Sequence, residues 1–266
     1  MRLAFLIYFI LVLWWAFLFK MGLKETPFNY YYNIPLGLLP ICSGILSLFA
    51  SRGWGGWMSA VGRGVIFLSI GLICWGLGTW VYGFYNLVLD IPVPYPSLGD
   101  VLYLASWPCW GIGLVHLSKA TGVRFSLRHR RGQLTLFLVP LFATILSYFL
   151  LVVVARGGVL TTSSDIKLFF DIGFPLGDVV ILTISLLILG LSAEYLGPRF
   201  KWPICIIVFG FLLNYVSDLL FSYRITIDQY FIGDWVDLLF ATSMFFQSIG
   251  VLSLNPKKLG YVPRSD

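Results

Sequence analysis

Asn214, Asp218 and Ser222 stand four residues apart in an otherwise apolar stretch, so on a helix they form a single polar stripe. Gly78, Tyr82 and Asn86 repeat that spacing, with Trp80 and Tyr85 beside them. Asp234 and Asp237 lie one helical turn apart, and Asp100, Asp178 and Tyr103 add further acidic and aromatic groups. Carboxylates in apolar surroundings are costly, and the chemistry they serve is the holding of cations or protons. The expected ligand-binding residues are therefore Asp218, Asp237, Asn214, Tyr82, Tyr85, Asp100, Asp178 and Asp234. Such a set attracts a cation by charge and by cation–π contact. There are plainer readings. Asp218 can pair with Arg224 or with a neighbouring tyrosine, and aromatics near a membrane interface form the ordinary belt.

Other chemistries find little support. The two histidines, His116 and His129, are not a facing pair of haem ligands, and no lysine lies in the middle of an apolar run. No Walker loop, GxSxG elbow or HExxH motif occurs. The four cysteines, Cys42, Cys74, Cys109 and Cys205, sit in apolar runs without CxxC or Cys/His spacing, so they read as small core residues rather than metal ligands. No metal set is expected, no cofactor is assigned, and a non-enzymatic role is expected.

The elements that must position these residues are membrane helices. The chain is 59% hydrophobic and 11% charged, more apolar surface than a soluble domain of 266 residues can hide. Apolar runs cover 3–19, 34–51, 64–89, 101–118, 133–155, 174–193, 203–223 and 235–254, each near the length of ~20 residues that crosses a bilayer. The expected fold class is an all-α integral membrane protein of about eight transmembrane helices, forming a single transmembrane domain over 1–266. The first run ends in Trp14, Trp15 and Lys20 with no A-x-A-like cleavage site, so it reads as a retained helix.

The basic residues set an orientation. With the N-terminus inside, thirteen of the eighteen Lys and Arg fall on the inner side, including Arg124, Arg128, Arg130 and Arg131 of the 119–132 loop. Both termini are thus expected in the cytoplasm of a multi-pass cell-membrane protein. The basic loop sits against anionic lipid headgroups, so the net charge of +6 implies a lipid bilayer as partner and no nucleic acid. Ten of the twelve acidic residues fall outside or in the outer halves of helices, a bias that insertion does not explain. Asp178, Asp218 and Asp237 are all expected near helix ends, with Asp218 ~8 Å below the outer interface.

Similar signatures open the even-numbered runs: Ile34-Pro35-Leu36-Gly37, Pro96-Ser97-Leu98-Gly99-Asp100, Phe174-Pro175-Leu176-Gly177-Asp178 and Phe231-Ile232-Gly233-Asp234. Proline suits a helix entrance, and aspartate accepts from its free N–H groups. The expectation is four repeated helical hairpins, each Gly-Asp capping its own helix. Gly71, Gly76 and Gly78 are expected to allow close helix packing, and Pro40, Pro108 and Pro140 to kink their helices.

The stretch Tyr95-Pro96-Ser97-Leu98-Gly99-Asp100-Val101-Leu102-Tyr103-Leu104, preceded by Trp80 and Tyr85, resembles a motif of prokaryotic multi-helix membrane sensor regions. Those regions lie N-terminal to diguanylate cyclase or histidine kinase domains, and a P-S-x-D-x-x-Y-L pattern opens one of their helices. Here Leu98-Gly99 replaces the single intervening residue, and the resemblance covers one hairpin. It implies a sensor or ligand-binding module. The twelve residues after Leu254 are too few for a signalling domain, so the expected partner is a separate cytoplasmic or membrane protein. A transporter for a cation or small solute is the first alternative, although its charges are expected near the outer face rather than the midplane. A structural subunit of a larger membrane complex is the second.

Overall fold

Residues 1–120, 123, 128–154, 157–158, 165–192 and 197–260 are described by the computed structural model. Parts of the 119–132 loop, with Arg124, and the segments holding Arg156, Glu194 and Arg264 lie outside the described residues. The longer helices are α1 (Arg2–Met21), α2 (Asn33–Ser51), α3 (Ala60–Leu87), α4 (Leu98–Ala120), α5 (Arg130–Ser147), α6 (Asp165–Ser192), α7 (Pro198–Thr226) and α8 (Trp235–Ser253). A one-turn helix, Pro27–Tyr30, precedes α2, and α5 continues as a π-helix over Tyr148–Val154. No strand occurs among the described residues.

Seven of these helices are long and apolar enough to cross a membrane, the build of a multi-pass membrane protein. The exception is α6, whose described apolar stretch, Leu176–Leu191, is shorter than a full span. The expected runs fall on the eight helices, mostly with bounds longer by a few residues. One boundary is corrected. The sixth helix begins at Asp165 rather than Phe174, so Asp178 is the fourteenth of its 28 residues and lies mid-helix, not at an entrance. Backbone hydrogen bonding in lipid favours extending a helix over leaving its end bare, and a sequence motif alone does not stop one. Pro40, Pro108 and Pro140 all lie inside continuous helices.

Lipid removes the hydrophobic drive between helices, so close packing depends on small residues. Close examples join α3 and α4, which run antiparallel in the most extensive helix contact of the bundle. A Cβ at Gly71 would overlap the Trp110 ring, and one at Gly78 would meet the Gly99 carbonyl and Tyr103 at 3.0 Å. Likewise Gly210 and Gly250 let α7 approach Gln247 and α8 approach Ile207. Leu11, Leu39, Leu68, Leu72, Trp110 and Met244 fill the space between. In contrast α5 turns Phe137, Leu141, Phe142 and Ile145 outward, as a lipid-facing helix does.

At one end of the bundle the turns before α2, between α3 and α4, and between α7 and α8 come together. The Asn29 amide donates to Ile232 O at 2.9 Å and to Leu23 O at 3.1 Å, tying two of those turns. Gly233 has φ +85°, and a Cβ there would press on Leu18 and Asn29, so glycine alone fits easily. At the opposite end the Trp54 indole donates to Leu254 O, and Gly53 packs on Pro256.

Candidate functional site

Helix capping places the first carboxyl. Ser97 precedes α4, and Asp100 at its third position accepts from the Ser97 amide at 2.7 Å and the Ser97 hydroxyl at 2.8 Å. This is a capping-box arrangement with aspartate in place of glutamate. The other Asp100 oxygen accepts from the Tyr82 hydroxyl of α3 at 2.6 Å, and one turn deeper Tyr103 donates to Thr79 at 3.0 Å. Two pairs thus stitch α3 to α4 at the glycine-lined contact. The expected Gly78–Tyr82–Asn86 stripe faces this junction, with Asn86 buried.

The entrance to α8 follows related rules. Asp234 is the N-cap and accepts from Trp235 N at 2.7 Å. Its other oxygen takes both Arg224 Nε and Nη2 at 3.0 Å, while Arg224 also donates to Gln229. One turn on, Asp237 accepts from Gly233 N at 2.6 Å and from the Tyr230 hydroxyl at 3.0 Å. Tyr230 belongs to the α7–α8 turn, and burial, followed by the nearby Asp237 charge, raises its phenol well above the ordinary tyrosine range. It stays a neutral donor at physiological pH.

The third group lies deeper. Asp178 of α6 and Asp218 of α7 lie within side-chain reach of each other. An ionised carboxylate only accepts, so a direct hydrogen bond between the two requires that one of them carry a proton. The Asn214 amide donates to Asp218 at 2.6 Å. Ser243 of α8 lies 3.2 Å from Asn214 Oδ1 and accepts from Gln247 at 3.2 Å. Asp218 is the twenty-first of the 29 residues of α7, about 12 Å from that helix's end, which runs to Thr226 rather than the expected 223. It is half-buried, whereas Asp178 is 4% exposed.

Tyr103 binds these groups into one region, for it lies within electrostatic reach of Asp100, Asp218 and Asp237. Tyr32, fully buried just before α2, lies within reach of Asp237, and its hydroxyl has no hydrogen-bond partner among the described residues. Of the expected site residues, Asp100, Asp178, Asp218, Asp237, Asn214 and Tyr82 gather here. Asp234 also lies at this end, but Arg224 and the helix cap occupy it. Tyr85 does not join them. It lines an apolar groove of about 400 Å³ with Trp80, Phe84, Leu98 and Leu102, on the lipid side of α3 and α4. Three residues of helix rotate it by roughly 60° from Tyr82, enough to change its neighbours.

Tyr230, Tyr32, Ser243 and Gln247 were not among the residues expected from sequence. Ser243 and Gln247 carry a signal, being polar residues one turn apart on an apolar helix. Tyr32 and Tyr230 carry none, since a tyrosine beside a membrane interface looks like an anchor. No group of three or more His, Cys, Asp or Glu able to hold a metal occurs among the described residues.

No family model, curated protein or solved structure matches the chain. The functional reading rests on the residues themselves.

Proposed function

We propose that this chain is a non-enzymatic membrane module that binds a small cationic solute through buried carboxyls and passes the change to a separate protein. One observation carries the reading. Asp100, Asp178, Asp218 and Asp237 come from four helices, and no lysine or arginine among the described residues is paired with any of them. Buried negative charge without a cation is costly, so protons or a cationic ligand must compensate it. Tyr82, Tyr103 and Tyr230 supply ring faces for the same cation. The unpartnered Tyr32 hydroxyl is a further polar group that a bound ligand would satisfy.

The topology belongs to this proposal. Eight spans arranged as four hairpins, with both termini in the cytoplasm, put the carboxyl cluster toward the outside and the basic loops against the inner leaflet. A ligand arriving from outside then meets the Asp100 and Asp237 ends of α4 and α8 first.

Transport is a second reading, favoured by the Asp178–Asp218 pair. Asp178 stands mid-helix rather than at a helix entrance, and Asn214, Ser243 and Gln247 continue the polar line away from the Asp100 and Asp237 end.

Equilibrium binding of labelled tetramethylammonium to the purified chain in nanodiscs tests the binding reading. Saturable binding that weakens in Asp237→Asn and Asp100→Asn is expected. Absence of saturable binding near neutral pH, or binding indifferent to both variants, overturns it. Uptake of the same probe into proteoliposomes separates the two uses: flux supports transport, and binding without flux supports the sensing module.

A further inference from the structure

We propose that Cys74 and Cys109 form a membrane-embedded dithiol that a lipid-soluble two-electron oxidant of the quinone class closes into a disulfide. The two thiols, on facing helices, lie within side-chain reach of each other. An independent observation, the register of α3 against α4, brings the same turns together. Gly64 packs on Gly113 and Leu117, Gly71 on Trp110, and Gly78 on Gly99 and Tyr103, so in this antiparallel pair position 74 falls opposite the turn that ends at 109. Glycine contacts on both sides hold the backbones close, as a disulfide bridge requires.

Depth selects the oxidant. Cys74 is the fifteenth residue of 28 in α3, and Cys109 the twelfth of 23 in α4, so both lie near the middle of their spans. Each thiol is half-buried, which at this depth leaves an edge open to the lipid phase. Apolar oxidants partition there and charged aqueous ones do not. In the reaction two S–H bonds break and one S–S bond forms. The two electrons and two protons pass to the quinone, which leaves as the quinol. The bond would lock α3 to α4 within about two and a half turns of the Thr79–Tyr103 and Tyr82–Asp100 pairs, fixing the separation of the helices that carry those groups. The proposal stands apart from the cation-binding reading and needs none of its carboxyls.

The purified full chain in liposomes is treated with duroquinone, whose ring has no hydrogen for a thiol to replace. After unfolding, maleimide labelling counts the free thiols and peptide mass mapping locates any bridge. The expected result is loss of two of the four alkylatable thiols, a mass decrease of two hydrogens, and a single Cys74–Cys109 linked peptide. A Cys42→Ser, Cys205→Ser chain gives the same bridge, and Cys109→Ser gives none. Four thiols still alkylated after treatment, or bridges that involve Cys42, Cys205 or a second chain, overturn the proposal and leave the pair as packing residues only. Mapping on the unmutated chain decides the matter even where a variant folds poorly.

Discussion

Arg224 holds Asp234 through Nε and Nη2 at 3.0 Å, and this choice of partner leaves Asp218, six residues earlier on the same helix, to Asn214 and Asp178. A positive charge close to a cluster of carboxyls would ordinarily compensate it. Here the guanidinium is held at the α7–α8 turn by Asp234 and Gln229, so its hydrogen bonds go to that turn and not to the cluster.

The pair should therefore be structural. Arg224→Gln leaves Asp234 buried without its cation and should cost about 2–4 kcal/mol. Asp234→Asn keeps an N-cap acceptor and should cost less. Thermal unfolding in detergent ranks the two, and equal losses would argue against a capping role for Asp234.

Asp100 joins two functions that a double-mutant cycle can separate. Asp100→Ala removes both the α4 cap and the Tyr82 acceptor, for a loss of ~1–2 kcal/mol. Tyr82→Phe removes only the second. A coupling energy of about 0.5 kcal/mol or more is expected between them, and strict additivity would mean the 2.6 Å contact contributes nothing.

For the deeper carboxyls the expected effect is on pH dependence. A cation and a proton compete for the same oxygens, so tetramethylammonium binding should weaken as pH falls. Asp218→Asn keeps shape and hydrogen bonding while removing one ionisable group. It should fold, bind the probe at least tenfold more weakly (~1.4 kcal/mol or more) and show a flatter pH profile. A variant with the affinity and profile of the parent would return Asp218 to the scaffold.

Glycine substitutions test the α3–α4 contact. Gly71→Ala should destabilise by about 1–3 kcal/mol because the new methyl overlaps the Trp110 ring. Gly111→Ala meets Ile181 and Ile184 at ordinary contact distances, 3.7 and 3.8 Å, and should be close to neutral. The order of the two melting temperatures is the measurement.

Topology is open to reporter fusions. Insertions after Leu254 and within 52–59 should read cytoplasmic, and those within 88–97 external. A cytoplasmic signal from 88–97 would invert the orientation and place the carboxyls at the inner face.

Helix existence was legible in the sequence because lipid imposes a length and an apolarity that any reader can count. Seven runs met that standard, and the capping roles of Asp100 and Asp234 followed from serine, glycine and aspartate beside an apolar stretch. The i, i+4 stripe also foretold the Asn214–Asp218 bond, since helical periodicity fixes which neighbours share a face. Partner choice between helices was another matter. The same Phe-Pro-Leu-Gly-Asp signs that mark an entrance lie mid-helix at Asp178, where the backbone continues through them. Only the tertiary structure gave Arg224 to Asp234 rather than Asp218, set Asp178 against Asp218, and turned Tyr85 to the lipid groove while Tyr82 met Asp100. The physical reason is that spacing along one helix determines its faces, whereas the neighbour each face meets depends on rotations and close approaches set by glycine contacts on helices far away in sequence.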